Sequence, residues 1–262
     1  GQYLDAESGI ALGHRRLSLI DLANGNQPMV RATGEHDSAI TSPALMPDGT
    51  PCGTPESMLA KGDFAIVFNG EIYNYQDLRA ELETQGWQFK TKSDTEVLLT
   101  GYLSWGEGVL DRLRGMFAFA LYRPATGELF CARDAFGIKP LYYAVEGERI
   151  LFGSEIKGLI THPRAHRSLN ERRLAHWLCM EYLPDEETLF EGVRKLPAGH
   201  WLRWRDGRAE CGRWFAPRFV PDASRSLEES AEAIEATLRE SVAAHAIADV
   251  DVGCFLSAGV DS

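Results

Sequence analysis

The chain has 262 residues and a formal net charge of −11. An acidic balance of this size argues against a nucleic-acid partner or an anionic membrane surface, because both require a basic face. The five cysteines are scattered, and no pair has metal-ligand spacing, so we expect reduced thiols in a cytoplasmic protein. We find no signal peptide and no apolar run near the ~18 residues of a membrane span.

The first predicted element is a strand over residues 9–13. Leu17 and Leu19 alternate with Arg16 and Ser18, which predicts that this strand continues with one polar face. Arg16 on that face is able to hold a carboxylate bidentately, although an ordinary surface arginine gives the same pattern. Residues 31–62 are rich in Gly, Pro, Ser and Thr without visible periodicity, which predicts a long surface loop.

A second predicted strand stops abruptly at a polar site. Residues 64–68 are apolar and run directly into Asn69, Gly70 and Glu71. Asn69 carries a side-chain amide donor, and the backbone N–H of Gly70 can approach a ligand closely. Two such donors side by side are what an oxyanion hole requires. The alternative is an Asn-Gly hairpin turn, which has the same local signature.

Two helices are predicted next. Asn74 is placed to cap a helix over residues 76–85, and Gly86 stands at a C-terminal stop position. Ser93 to Glu96 form a capping-box pattern before a helix that ends at Trp105-Gly106. Asp94 therefore also has an ordinary interpretation, as a residue at a helix start.

The following segment is rich in hairpins. Residues 116–122 are predicted to pair with 129–132, and residues 141–144 with 150–152. Residues 201–204 are predicted to begin a hairpin that turns at Asp206-Gly207. Helices are predicted over residues 155–160 and 171–180. This order of elements is typical of an α+β domain.

The last part of the chain has a different pattern. We predict a linker over residues 216–226 and an amphipathic helix over residues 227–245. Residues 250–256 predict a buried strand, and Ser257 to Ser262 form a small-residue loop directly after it. A strand followed by such a loop is typical of phosphate binding, although an ordinary strand–helix connection has the same form.

Eight blocks of this sequence occur in the order typical of one family. They are GHRRLSLID (13–21), QPM (27–29), FNGEIYNY (68–75), SDTEVLL (93–99), GMFAFALY (115–122), RDAFGIKPLYY (133–143), GSEIKGL (153–159) and FLSAGVDS (255–262). The chain resembles the glutamine-dependent asparagine synthetases, in which a class II glutamine amidotransferase precedes an ATP-pyrophosphatase domain. The resemblance implies an α+β fold with a four-layer αββα sandwich of the N-terminal-nucleophile hydrolase type over residues 1–215. The linker 216–226 and the start of an α/β ATP-binding domain at 227–262 would follow.

The resemblance also implies roles for individual residues. The oxyanion hole would be formed by Asn69 and Gly70. The glutamine site would further contain Arg16 at the α-carboxylate, Glu71 and Asp94 at the α-amino group, and the backbone of Leu17, Ser18, Leu19 and Ile20. The ATP site would contain Leu256, Ser257, Ala258, Gly259, Asp261 and Ser262. The implied activity is glutamine hydrolysis that supplies ammonia for ATP-dependent amidation of aspartate, with ATP and Mg²⁺ as cofactors and no metal ligand in this chain.

The sequence departs from the family pattern in three places, one of which is that the 31–62 loop is longer than expected for the family. The family nucleophile is an N-terminal cysteine, which none of the five cysteines matches, so we expect this chain to be an inactive fragment of a longer enzyme. Ala258 replaces the glycine that is usual in the phosphate loop.

Two alternatives to asparagine synthesis remain. One is a related amide-forming enzyme, similar to β-lactam synthetases or to peptide-modifying homologues, and the other is a non-catalytic scaffold of the same fold. The partners expected from the resemblance are the small molecules glutamine, aspartate and ATP, and a homodimer is one assembly that it allows.

Overall fold

A seven-stranded antiparallel sheet forms the centre of the protein. The computed structural model describes residues 1–5, 9–15, 17, 19–32, 40–41, 63–184, 186–222 and 224–259. The strands of the central sheet lie in the order β12-β11-β7-β6-β5-β3-β4. Their bounds are β3 Met29–Ala32, β4 Ile40–Thr41, β5 Asp63–Ile72, β6 Gly115–Arg123, β7 Glu128–Arg133, β11 His200–Arg205 and β12 Arg208–Arg213.

Two smaller sheets and five helices complete the described fold. The hairpin of β1 (Gln2–Asp5) and β2 (Ile10–Gly13) forms a separate two-stranded sheet. The third sheet has the order β10-β8-β9. Its strands are β8 Tyr142–Glu146, β9 Arg149–Gly153 and β10 Val193–Lys195. The helices are α1 Tyr75–Thr84, α2 Asp94–Trp105, α3 Ile156–Ile160, α4 Glu171–Met180 and α5 Leu227–His245, with a 3₁₀ helix at Gly106–Arg112. No helix in the described part of the chain is long and apolar enough to cross a membrane.

The alternation of side chains along β5 produces the layers of the fold. Phe64, Ile66 and Phe68 point into a core shared with α1 and α2, whereas Ala65 and Val67 point into a core shared with the second sheet. A third core joins the β10-β8-β9 sheet to α3 through Leu159. The resulting order, helices, sheet, sheet, helix, is the four-layer αββα sandwich that was predicted.

Most predicted elements agree with the structure, but a predicted strand and a predicted loop near the start of the chain differ. β2 ends at Gly13, and residues 14, 15, 17 and 19 lie outside any strand, so the predicted continuation of that strand is wrong. The surface loop predicted at 31–62 is also wrong at its start, because β3 includes residues 31–32 and β4 covers 40–41. These residues form strands because the backbone of β3 pairs with those of β4 and β5. Amino-acid composition does not reveal such pairing. Residues 33–39 and 42–62 lie outside the described part.

The predicted capping box at the start of α2 is wrong in one half. The Ser93 hydroxyl accepts the N–H of Thr95 and caps the helix, as predicted. Glu96 does not return to the cap. Its carboxylate accepts the N–H and the hydroxyl of Thr91 at 2.6 and 2.5 Å, and it lies 3.7 Å from the buried Arg31. A buried cation therefore determines the direction of this side chain.

The strand predicted over residues 250–256 is also wrong. Residues 251–257 have no regular structure, and Phe255 and Leu256 are exposed. A strand needs a neighbour that accepts and donates its backbone hydrogen bonds, and none of the described strands pairs with this segment.

The buried Arg31–Glu96 pair gives a test of the fold. Both side chains are fully buried, and Arg31 also donates to the Thr100 hydroxyl at 2.5 Å. We expect Glu96→Ala to lower the free energy of unfolding by about 3–5 kcal/mol, because it leaves Arg31 buried without its counter-ion. Urea denaturation measures this change. Glu235→Ala, which breaks an exposed pair with Arg239, is the control and should have little effect. Equal losses in the two variants would contradict the prediction.

Candidate active site

An open cavity lies where β5 runs past the end of β3. Its volume is about 440 Å³, and it is lined by residues 13–15, 17, 19–20, 27, 68–71, 94–95, 139 and 154–155. We call it the β5 pocket. β3 pairs with β5 only as far as Met29 opposite Ile66, so none of the described strands lies beside the last residues of β5 on that side.

The exposed edge of β5 presents a row of three backbone donors. Phe68 donates its N–H to the Gln27 side chain at 2.6 Å, and Ile72 donates its N–H to the Asp94 carboxylate at 3.1 Å. Gly70 lies between them on the same edge, because alternate residues of a strand point their N–H groups to the same side. On the other side, Phe117, the residue opposite Gly70, directs its own N–H and carbonyl to Asp134. The Gly70 N–H therefore faces the pocket, where the described residues provide no acceptor for it.

Gly70 is required at this position for steric reasons. Its φ is +151°, and a Cβ atom would lie 2.0 Å from the carbonyl oxygen of Met116 and 2.7 Å from the Cα of Phe117. No side chain fits between these strands. Because Gly70 has no side chain, a ligand can also approach its N–H closely from the pocket.

Asn69 supplies the second donor through its side chain, which follows Ala65 and Val67 in the alternation along β5. Its Nδ2 group donates to the Ser154 hydroxyl at 3.1 Å, and both residues line the pocket. This hydrogen bond uses one amide hydrogen and orients the other. The predicted pairing of Asn69 with Gly70 at one site is thus present in the geometry, and neither residue belongs to a hairpin turn, because β5 continues to Ile72.

Two carboxylate side chains also line the pocket. Asp94 is the first residue of α2 and is buried, while Glu71 directly follows Gly70 on β5. Asp94 thus stands at a helix start, as its ordinary interpretation predicted, while Ser93 is the cap. Burial, followed by the Glu71 and Asp134 carboxylates, raises the pKa of the neighbouring Tyr73 to about 12, so Tyr73 stays neutral.

The segment before β3 forms another wall of the pocket. Leu17, Leu19 and Ile20, which were predicted for the glutamine site, line the pocket. The predicted residues Arg16 and Ser18 lie outside the described residues, so their contacts stay predictions. Arg15, a described cation of the same segment, lines the pocket.

Sequence reasoning missed three lining residues that are distant from β5 in the chain. Gln27 bridges the Phe68 N–H and the Thr95 hydroxyl, Ser154 holds Asn69, and Lys139 lies on a turn fixed by the Asp134 carboxylate, which accepts its N–H at 2.9 Å. All three stand in sequence blocks that carried the family resemblance. Membership of those blocks was the signal that could have identified them.

None of the cysteines in the described chain lines the pocket. Burial raises the pKa of the Cys131 thiol, and burial together with Glu186 raises that of Cys211. Cys179 and Cys254 are exposed elsewhere. The described residues therefore supply donors and carboxylates to this pocket but no thiol.

Four of the six residues predicted for ATP lie in the described part of the chain, at its end. Leu256, Ser257, Ala258 and Gly259 are exposed and belong to no regular element, and residues 260–262 lie outside the described part. A local hydrogen bond runs from the Gly259 N–H to the Ser257 hydroxyl at 3.1 Å. The described residues do not form a phosphate cradle.

The family of the chain is decided by comparison of its sequence. Residues 51–215 match the family described as glutamine amidotransferase domain. The chain belongs to the glutamine amidotransferase domain family. Residues 233–262 match a second family, described as asparagine synthase.

Relatives of this amidotransferase chain cover nearly all of it. A putative asparagine synthetase (glutamine-hydrolyzing) of Mycobacterium bovis is 42% identical over 98% of the chain and 37% of the relative. Asparagine synthetase (glutamine-hydrolyzing) 3 of Bacillus subtilis is 32% identical over 98% of the chain and 38% of the relative. An enzyme named amidase chry2, from Gibberella zeae, is 32% identical over all of the chain and 35% of the relative. The chain thus spans less than two fifths of the length of these relatives.

Solved structures give a weaker likeness. Glutamine phosphoribosylpyrophosphate amidotransferase of Bacillus subtilis, complexed with ADP and GMP, is 23% identical, with a TM-score of 0.42 over 59% of this chain and 30% of that chain. A score of this size supports no argument about the site.

The steric requirement at Gly70 predicts the effect of a single methyl group. We expect Gly70→Ala to lower the free energy of unfolding by about 1–3 kcal/mol, the usual cost of forcing extra volume into a packed structure. Chemical denaturation measures it. Gly158→Ala is the matched control, since a Cβ there meets no atom within 4 Å and lies in a helix. A Gly70→Ala protein as stable as the control would show that β5 and β6 are not this close.

Proposed function

We propose that the β5 pocket binds L-glutamine and stabilises the oxyanion that forms when its side-chain amide is hydrolysed. The observation that carries this proposal is the convergence of the Gly70 N–H and the Asn69 amide on one pocket that also contains acidic side chains. Donors that are fixed before the reaction stabilise developing negative charge without any cost of reorganisation.

The pocket matches glutamine at both ends. In this proposal the amide oxygen of glutamine lies at Asn69 and Gly70, and its α-ammonium group lies at Glu71 and Asp94. Arg16 binds the α-carboxylate. Carboxylates and amide donors in one pocket suit a substrate that carries both an α-amino acid head and a neutral amide. A scaffold without catalytic function has no need for the bare donor at Gly70.

For the protein at its full natural length, we propose that the released ammonia serves ATP-dependent conversion of aspartate to asparagine. The match of residues 233–262 and the names of the relatives support this acceptor. Leu256 to Gly259, with Asp261 and Ser262, remain the proposed ATP contacts, and Mg²⁺ would accompany the nucleotide.

A different amide acceptor is the alternative, since one relative is named an amidase. The division of the chain at residues 216–226 also stays a proposal. Incubation with amide-¹⁵N-glutamine, ATP and aspartate separates the two acceptors. Labelled asparagine supports the main proposal, and glutamine hydrolysis without asparagine supports the alternative.

The role proposed for Asp94 can be separated from its structural role. Asp94→Asn keeps an oxygen that accepts the Ile72 N–H but removes the charge that faces the substrate ammonium. Losing one partner of a buried charge pair costs about 2–5 kcal/mol, and ~1.4 kcal/mol is tenfold. We therefore expect kcat/KM for glutamine-dependent synthesis by the full-length protein to fall at least about tenfold.

The matched control uses the same preparation with free ammonia in place of glutamine. Ammonia-dependent synthesis bypasses the β5 pocket, so its rate should be nearly unchanged, and the melting temperature should barely move. If both activities fell together with a lower melting temperature, Asp94 would be a structural residue and the proposed substrate orientation would be wrong.

A further inference from the structure

The turn that lines the β5 pocket is held by a residue from the far end of the chain. Asp249 donates its backbone N–H to the carbonyl oxygen of Leu19 at 2.8 Å. Its carboxylate accepts the N–H of Asp21 at 2.7 Å. Asp249 thus contacts the turn on both sides of Ile20, and both Leu19 and Ile20 line the pocket.

Asp21 itself is in a conformation that needs support. Its φ is +47°, in the left-handed region that residues with a Cβ atom adopt at a cost. Its carboxylate accepts the N–H of Asn24 at 3.0 Å and the N–H of Lys92 at 2.7 Å. Lys92 lies two residues before Asp94. The buried Asp21 therefore joins the pocket turn to the start of α2, and Asp249 fixes Asp21 from outside.

The region around Asp249 is anchored at several further points. The ring of His245 lies 4.2 Å from that of Tyr73, which follows β5, and Ile247 packs against the core beneath the pocket. Glu240 of α5 forms an ion pair with Arg114. These contacts come from separate residues of α5 and its C-terminal extension, so the position of Asp249 does not depend on one hydrogen bond.

We propose that Asp249 is a positioning residue for the glutamine pocket, which couples glutamine binding to the region of the chain that matches the asparagine synthase family. This inference rests on the proposed function of the pocket. Asp249 touches no substrate. It acts through Asp21 and Leu19, whose backbone conformation determines where the wall of the pocket lies. Any movement of the chain at residues 246–250 would then change the affinity for glutamine, and glutamine would in turn stabilise that segment.

The test compares three variants of the full-length protein. Asp249→Ala removes the carboxylate, Asp249→Asn keeps an oxygen that accepts the Asp21 N–H, and Asp251→Ala is the control, because Asp251 is an exposed acid two residues further on. We expect the KM for glutamine to rise about fivefold or more in Asp249→Ala, within the usual range of coupling between sites. The maximal glutamine-dependent rate and the ammonia-dependent rate should stay near wild type, and Asp249→Asn and Asp251→Ala should both retain the wild-type KM.

Amide hydrogen exchange gives a second measurement that does not depend on activity. The Asp21 amide should exchange faster in Asp249→Ala than in wild type, and its protection should return in Asp249→Asn. An unchanged KM and unchanged exchange in Asp249→Ala would overturn the proposal, as would an Asn variant that behaves like Ala. If the wild type failed to hydrolyse glutamine, the proposed function would be wrong, while the exchange measurement would still decide whether Asp249 holds the turn.

Discussion

The site depends on one constraint, the length by which β5 exceeds its neighbour β3. Beyond Ile66 the edge of β5 has no strand to receive its N–H groups, so each donor must find another partner. Gln27 satisfies Phe68 and Asp94 satisfies Ile72, which leaves Gly70 between them. The two satisfied donors fix the strand on either side and thereby define the direction of the third. The proposed oxyanion donor therefore comes from a sheet edge that the described strands leave incomplete.

The sequence predicted the elements whose signals are local. The hairpin at β6 and β7 and the helix α5 follow from apolar periodicity and turn residues, and the structure has them within a few residues of the predicted bounds. Asn69 and Gly70 were predicted at one site because they are adjacent in the chain. The role of Ser154 could not be predicted in this way, because 85 residues separate it from Asn69 and only the folded sheets bring them together.

The errors have the same physical origin. Alternation at residues 16–19 resembles a strand, but the described residues 17 and 19 lie outside any strand. Leu19 and Asp21 are instead hydrogen-bonded to Asp249, which is 228 residues away from Asp21. Residues 250–256 have the composition of a buried strand but no neighbour among the described strands. Glu96 matches a capping box locally, yet its carboxylate lies beside the buried Arg31 of β3 and not at the helix cap. In each case a long-range partner, or its absence, overrides a correct local pattern.

The central claim is that the Gly70 N–H is a free donor directed at the amide of bound glutamine, and its amide resonance tests this most directly. In ¹⁵N-labelled protein, titration with L-glutamine should shift the Gly70 signal saturably and slow its hydrogen exchange. L-asparagine, which is one methylene shorter, should leave the Gly70 signal unmoved because its amide does not reach β5. A glutamine titration that saturates other signals but leaves Gly70 unchanged would contradict the account.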